Sequence, residues 1–243
     1  MNNLDNYSRS TEILDFTQDA AVQRKFFSSV FTYMAVGLGI SAVTSYYLGH
    51  SLQWFSLLFT ETGISGLGYV IMFSPLVFTL FMGKLLERAS STTLMIAFSA
   101  FAVVMGMSMS TIFLIYPITS ILTIFLITAG TFALFAVLGY TTKTDLTKLG
   151  MIAGIGFMAL IGVSLLNFFF FKSEQVSYIT SGIGVILVVG LIAYQMQSLK
   201  NIAAGLEHGD ASFSKRALIG AFGLYISFIN LFMMLLRLFG SRD

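Results

Sequence analysis

Charged residues divide this chain into long uncharged runs. Asp, Glu, Lys and Arg are absent from 26–60, 62–83, 89–142, 149–171, 175–199 and 217–236. A helix needs roughly 20 apolar residues to cross a bilayer, and the 54-residue run 89–142 is long enough for two. Pro117, with Ser108, Ser110 and Thr111 ahead of it, marks a break inside that run. The pattern predicts seven spans, at about 26–48, 64–83, 92–111, 117–139, 149–171, 176–197 and 217–239. Ile118–Leu138 and Ile179–Ala193 are apolar at consecutive positions, unlike the in–out alternation of a barrel strand. In lipid a helix satisfies its own backbone. The fold class is therefore all-α, a polytopic integral membrane protein. The seventh run is only 20 residues long; it fits a helix that crosses or a re-entrant one.

Lys and Arg orient these spans. With the N-terminus cytoplasmic, Arg9, Arg24, Lys25, Lys84, Arg88, Lys143, Lys148, Lys200, Lys215 and Arg216 fall inside, and Lys172, Arg237 and Arg242 outside. Ten against three is a positive-inside bias. A re-entrant seventh helix would return Arg237 and Arg242 to the inside, so charge counting leaves both arrangements open. Residues 1–25 are polar and hold Asp5, Glu12, Asp15 and Asp19. They read as a cytoplasmic tail rather than a cleavable signal peptide, with the first span as an uncleaved insertion signal. No repeat is evident, so 26–243 reads as one seven-helix membrane domain.

Composition agrees. Charged residues make up 10% of the 243 and hydrophobic ones 56%, with 25 Phe, against about 25% charged in a soluble domain. That excludes a water-soluble enzyme and a disordered chain. The absence of Cys removes disulfides and thiolate sites. A net charge of +2 is too small to point to nucleic acid, and the two His, at 50 and 208, are too far apart for a zinc site. No cofactor and no metal are expected.

An ionisable residue facing a bundle interior is the usual mark of function in a membrane, yet no Asp or Glu falls in a predicted core. Arg237, near the end of the seventh span, reads either as snorkelling to the interface or as a gate or tether paired with a loop carboxylate. The uncharged polar residues are more informative. The fifth span carries Ser164 and Asn167, the sixth Tyr194, Gln195 and Gln197, the seventh Tyr225, Ser227 and Asn230. Such groups usually join helices by hydrogen bonds; a polar interior path is the alternative, with Asn167 and Asn230 its best candidates. Gly150 and Gly154, with Gly156, Gly162, Gly182, Gly184 and Gly190, read as close-packing surfaces. Trp54, Tyr46 and Tyr47 suit an interfacial belt. His50 and His208 read as solvated loop residues, a pH-sensing role for His208 being the weaker alternative. Asp145 is placed to cap the fifth helix. There is no HExxH and no nucleophile–base pair, so an enzyme is not expected.

Four stretches together resemble the Bax inhibitor-1 family (transmembrane Bax inhibitor motif proteins), in particular its bacterial branch. They are Phe27–Leu48, Tyr116–Phe132, the Thr-Thr-Lys-x-Asp-Leu-Thr-x-x-Gly loop within Gly139–Gly150, and Ala217–Gly240. The resemblance runs from about residue 24 to the end and implies a bacterial inner membrane. It also implies a pH-sensitive calcium leak or, as for some bacterial members, binding to a membrane AAA protease. The family's sensor is a pair of aspartates in a Tyr-Asp-Thr-Gln and a Leu-Tyr-Leu-Asp-Phe-Ile-Asn string. Here these read Tyr194-Gln195-Met196-Gln197 and Leu224-Tyr225-Ile226-Ser227-Phe228-Ile229-Asn230, so Gln195 and Ser227 replace both acids. Neither titrates in the physiological range, and calcium prefers anionic oxygen ligands. The expectation is a helix six–helix seven latch without its pH switch, and a calcium leak that is constitutive, reduced or lost. The competing expectation is a non-conducting modulator of a membrane protease or stress partner, working through residues 1–25.

Overall fold

The computed structural model describes the backbone of residues 2–61, 63–207, 210 and 212–241, with side chains outside 2–19 and 82–88. His208 lies outside the described residues. Seven long helices overlap the seven predicted spans. They are α1 (Asn2–Gly49), α3 (Gly66–Arg88), α4 (Ser91–Met109), α5 (Ile118–Thr141), α6 (Thr147–Leu166), α7 (Glu174–Ala204) and α8 (Phe213–Phe239). The short helix α2 (Leu52–Leu58) and a two-residue hairpin, β1 (Phe59–Thr60) and β2 (Gly63–Ile64), fill the first predicted loop. Strand β1 pairs antiparallel with β2, and Gly63 takes the positive φ of +133° beside the turn.

Six helical stretches are long and apolar enough to cross a membrane: Ala20–Gly49, Ser91–Leu114, Ile118–Thr141, Thr147–Phe171, Glu174–Ala204 and Phe213–Phe239. The apolar part of α3, Gly66–Phe81, is shorter. The predicted boundaries differ most at the start, where α1 runs as one helix through the polar segment assigned to a tail. No Gly or Pro occurs before Gly37 to interrupt it. The predicted break before Pro117 is a 3-10 turn, Ser110–Leu114, followed by Pro117 as N-cap of α5. In α3, Pro75 lacks the N–H that would bond Ile71 O; Ser74 Oγ donates to that carbonyl instead, at 2.8 Å.

Helix α8 is the hub. It packs on α1, α4, α5 and α7, and 61% of its span is buried, against 11% for the α6 span. It is continuous over 27 residues, about 40 Å at 1.5 Å per residue, with no reversal. Its first residue, Phe213, stacks edge-on with Phe26. Beyond its far end, Ser241 N donates to Ser120 Oγ at 2.9 Å. The two contacts lie at opposite ends of the bundle: Phe26 neighbours Phe27, which meets Tyr140 at the α5 C-terminus, whereas Ser120 opens α5.

Candidate functional site

Helix α8 presents a seam at helical spacing: Gly220, Gly223, Ser227, Asn230, Met234 and Arg237. The small and polar residues of this seam meet α7. At its midpoint Ser227 Oγ donates to Gln195 Oε1 at 3.0 Å, with Ser227 buried at 5% exposure. The latch foreseen from the sequence is thus present, made of neutral groups.

A cavity lies on each side of this bond. The inner one, so named for lying toward the N-terminal end of α8, about 380 Å³, is lined by Tyr194, Gln195, Ser198, Arg216, Gly220 and Gly223, among others. Gly223 leaves open space beside Gln195, whereas Gly220 is covered by the Leu199 side chain. The outer one, about 290 Å³, takes in Asn230, Met234 and Arg237 from α8, Thr180 and Ser181 from α7 and Ser164 from α6. Met234, in the wall of the outer cavity, covers Gly184 of α7: its Cε and Sδ would lie 2.5 and 2.6 Å from a Cβ there. Each cavity is lined by one arginine and no acid.

Other predicted site residues are placed elsewhere. Tyr225, on the opposite face of α8, is fully buried. Its hydroxyl lies 2.6 Å from Ser41 Oγ on α1. Ser41 spends its own proton on Ala102 O of α4, at 2.7 Å, so Tyr225 is the donor. Phe98, Phe101 and Phe222 surround the ring, the first two edge-on to it.

Asn167 and Gln197 are loop clamps, remote from the latch in bonding. Asn167 begins a π-helical turn, Asn167–Phe171, that ends α6. Its amide donates to Ser173 O and Ser177 Oγ, both at 2.9 Å, and its carbonyl accepts from Ser173 N at 3.0 Å. With Lys172 in the left-handed conformation at φ 49°, this closes the α6–α7 turn. A buried amide so fully bonded has no group left for a path. Gln197 accepts from Leu146 N and donates to Thr144 O, both at 2.8 Å. It therefore fixes the loop between α5 and α6. In the same loop Asp145 accepts from Thr147 N at 2.9 Å, the predicted capping contact; this bonding with Thr147 holds its carboxyl below the ordinary value of 3.8. Asn230 donates to its own helix at Ile226 O, 2.8 Å away, and lines the outer cavity. Arg237 is half-buried, with its Nη1 3.5 Å from Ser181 Oγ on α7.

Several contacts went unread in the sequence or were read there only as packing surfaces. Gly37, Ser41 and Ser45 recur every four residues on α1, a small-residue stripe that was the available signal for the Tyr225 contact. Gly139 touches the backbone of Ala193 and Gly150 the ring of Tyr194, so neither has room for a side chain. Gly156 and Gly184 also serve close packing, whereas Gly162 and Gly182 face open space. Trp54 is tied by its indole N–H to Ser110 Oγ at 2.9 Å. His50 lies against Tyr46, with ring centres 4.5 Å apart and planes tilted by 48°. Among the described residues no group of three or more His, Cys, Asp or Glu could hold a metal ion.

Comparison with known proteins adds to this geometry. The family described as "Inhibitor of apoptosis-promoting Bax1" matches residues 23–243. The inner membrane protein YbhL of Escherichia coli strain K12 is 36% identical over 243 residues, covering 98% of this chain and 100% of that protein. A protein of Borreliella burgdorferi is 34% identical, covering 95% of this chain and 99% of its own. The membrane protein SpyM3_0260 of Streptococcus pyogenes is 30% identical, covering 94% and 97%.

Proposed function

The chain belongs to the Bax inhibitor-1 family and is a multi-pass integral protein of the inner membrane, and on that premise we propose that it is a leak pathway without a pH switch. In this reading all seven helices cross, the N-terminus is cytoplasmic, and calcium or another cation passes slowly along the α7–α8 seam. Residues act by shaping the path and none is catalytic.

One observation carries the reading: the 3.0 Å bond from Ser227 to Gln195 between the two cavities. The resemblance puts an aspartate pair at these two positions. Two close carboxylates share a proton and titrate as a unit; an amide and a hydroxyl keep the same state from pH 6 to pH 8. The bond therefore holds the seam equally over that range. It also offers a divalent cation only neutral ligands, beside cavities whose single charges are Arg216 and Arg237. Both features favour a small, constitutive leak.

The test is calcium efflux from proteoliposomes between pH 6 and 8, comparing wild type with the double variant Gln195→Asp, Ser227→Asp. The expected result is a low, flat wild-type leak and a pH-dependent leak in the double variant. A wild-type leak with a clear pH midpoint would show that a switch exists elsewhere. If neither leaks while both are folded, the second reading takes precedence.

That second reading is a modulator that binds a membrane AAA protease. It is favoured by the length of α1, which continues as helix from Ala20 back to Asn2. At 1.5 Å per residue those turns extend about 27 Å beyond the apolar part. Deleting residues 1–25 should then abolish co-purification of the protease and leave flux unchanged.

A further inference from the structure

The outer cavity has a chemistry that the leak reading does not use. Arg237 is the one charged group among its fourteen lining residues. Its planar guanidinium carries five donors, and the polar contact available to it among the described residues is Ser181 Oγ, at 3.5 Å, the far limit of a hydrogen bond. A cation so placed within a membrane bundle calls for a counter-charge.

The two α7 hydroxyls cannot supply donors of their own. Ser181 gives its proton to Ser177 O and Thr180 to Val176 O, both at 2.8 Å. Ser181 Oγ remains as an acceptor 3.5 Å from Arg237 Nη1. Asn230 spends one amide proton on Ile226 O and keeps the second. The donors free to meet a ligand are therefore the remaining N–H groups of Arg237, one from Asn230 and the Ser164 hydroxyl. Met72 and Phe73 of α3 and Phe157 and Leu160 of α6 make the rest of the wall apolar. Ser164 is exposed at the α6 side.

We propose that this outer cavity is an anion site for a phosphate group, held by the Arg237 fork and Asn230. A guanidinium matches phosphate oxygens two at a time, and the apolar wall accommodates the uncharged part of an amphiphile. The phosphate belongs either to the headgroup of a phospholipid or to the free anion. Binding there also neutralises the charge at the outer end of the seam. The site stands independently of the leak reading, because it is measured by binding and not by flux.

The experiment follows thermal unfolding of the full chain in dodecylmaltoside micelles, titrated with phosphatidylglycerol or, at constant ionic strength, with sodium phosphate. A ligand that binds only the folded state raises the melting temperature saturably. Wild type should show such a rise. Arg237→Gln should weaken the apparent affinity about tenfold or more, and Arg237→Lys should retain part of it. Ser164→Phe keeps the charge and fills the mouth; it should also abolish the rise, and it serves if Arg237→Gln does not fold. A rise with phosphatidylglycerol alone assigns the headgroup, and one with sodium phosphate alone assigns the free anion. No saturable rise with either probe, or equal rises in wild type and Arg237→Gln, overturns the site.

Discussion

The two sides of α8 are built on opposite plans. Toward α1 and α4 it presents Tyr225 and Phe222, locked among Phe98 and Phe101 and tied through Ser41 to Ala102. Toward α7 it presents two glycines, a serine, an asparagine and a methionine, with a cavity at each end. Rings fill space with few rotamers; glycines leave it open, and methionine fills it adaptably. One helix thus has a fixed side that holds it and an adaptable side along which a path or a ligand can be accommodated.

The widest gap between the sides should appear on deleting the anchor. Tyr225→Ala removes a fully buried ring and should cost about 3–5 kcal/mol, read as unfolding in detergent. Tyr225→Phe loses only the bond to Ser41 and should cost about 1 kcal/mol. A cost below 1 kcal/mol for the alanine variant would mean that the aromatic side is not the anchor.

Added methyl groups compare the sides directly. A Cβ at Gly37 would lie 2.8 Å from Phe98 Cζ and 3.3 Å from Tyr225 Cδ2, groups with nowhere to go. Gly37→Ala should cost about 1–3 kcal/mol. A Cβ at Gly184 meets only the flexible end of Met234, so Gly184→Ala should cost less than about 1 kcal/mol. Equal costs would erase the distinction between a rigid and an adaptable face.

Breaking the latch is a smaller perturbation. Ser227→Ala removes the bond to Gln195 and should destabilise by about 0.6 kcal/mol, the usual worth of such a bond between membrane helices. A loss of several kcal/mol would make the seam as rigid as the aromatic side.

The smallest expected effect is a control remote from both faces. Asp145 has its pKa lowered below 3.8 by its hydrogen bonds with Thr147. A lowered folded-state pKa stabilises the fold above the unfolded value, and that contribution is lost as pH falls through the folded one. The stability difference between wild type and Asp145→Asn should therefore be constant from pH 5 to 8 and shrink only below pH 3.8. A change near pH 6 would implicate another titrating group.

Much of this was legible in the chain. The charge-free runs located all seven helices, because a charge in hydrocarbon is costly wherever it points. Pro117 with its hydroxyl-rich approach marked the break between α4 and α5. The Gln195–Ser227 pair was legible because two aligned strings place both residues at matching positions of a related pattern. Asn167 and Gln197 were read as candidates for the same path on residue type alone, and their bonding assigns them to turns. Arg237 read either as snorkelling to the interface or as a gate or tether, and its 3.5 Å contact with Ser181 beside the outer cavity was not legible in the chain.

The sequence by itself determined that the chain is all-helical and membrane-embedded, roughly where its long helices lie, and that the latch holds no titrating group. Only the tertiary structure decided which helix is central, which side of it is rigid, and where the cavities lie. The reason is physical. Lipid is as apolar as a protein core, so hydrophobic residues mark a helix as membrane-embedded without marking which side meets its neighbours. The facing was settled by close contacts of glycines and by a few hydrogen bonds between residues up to 184 positions apart.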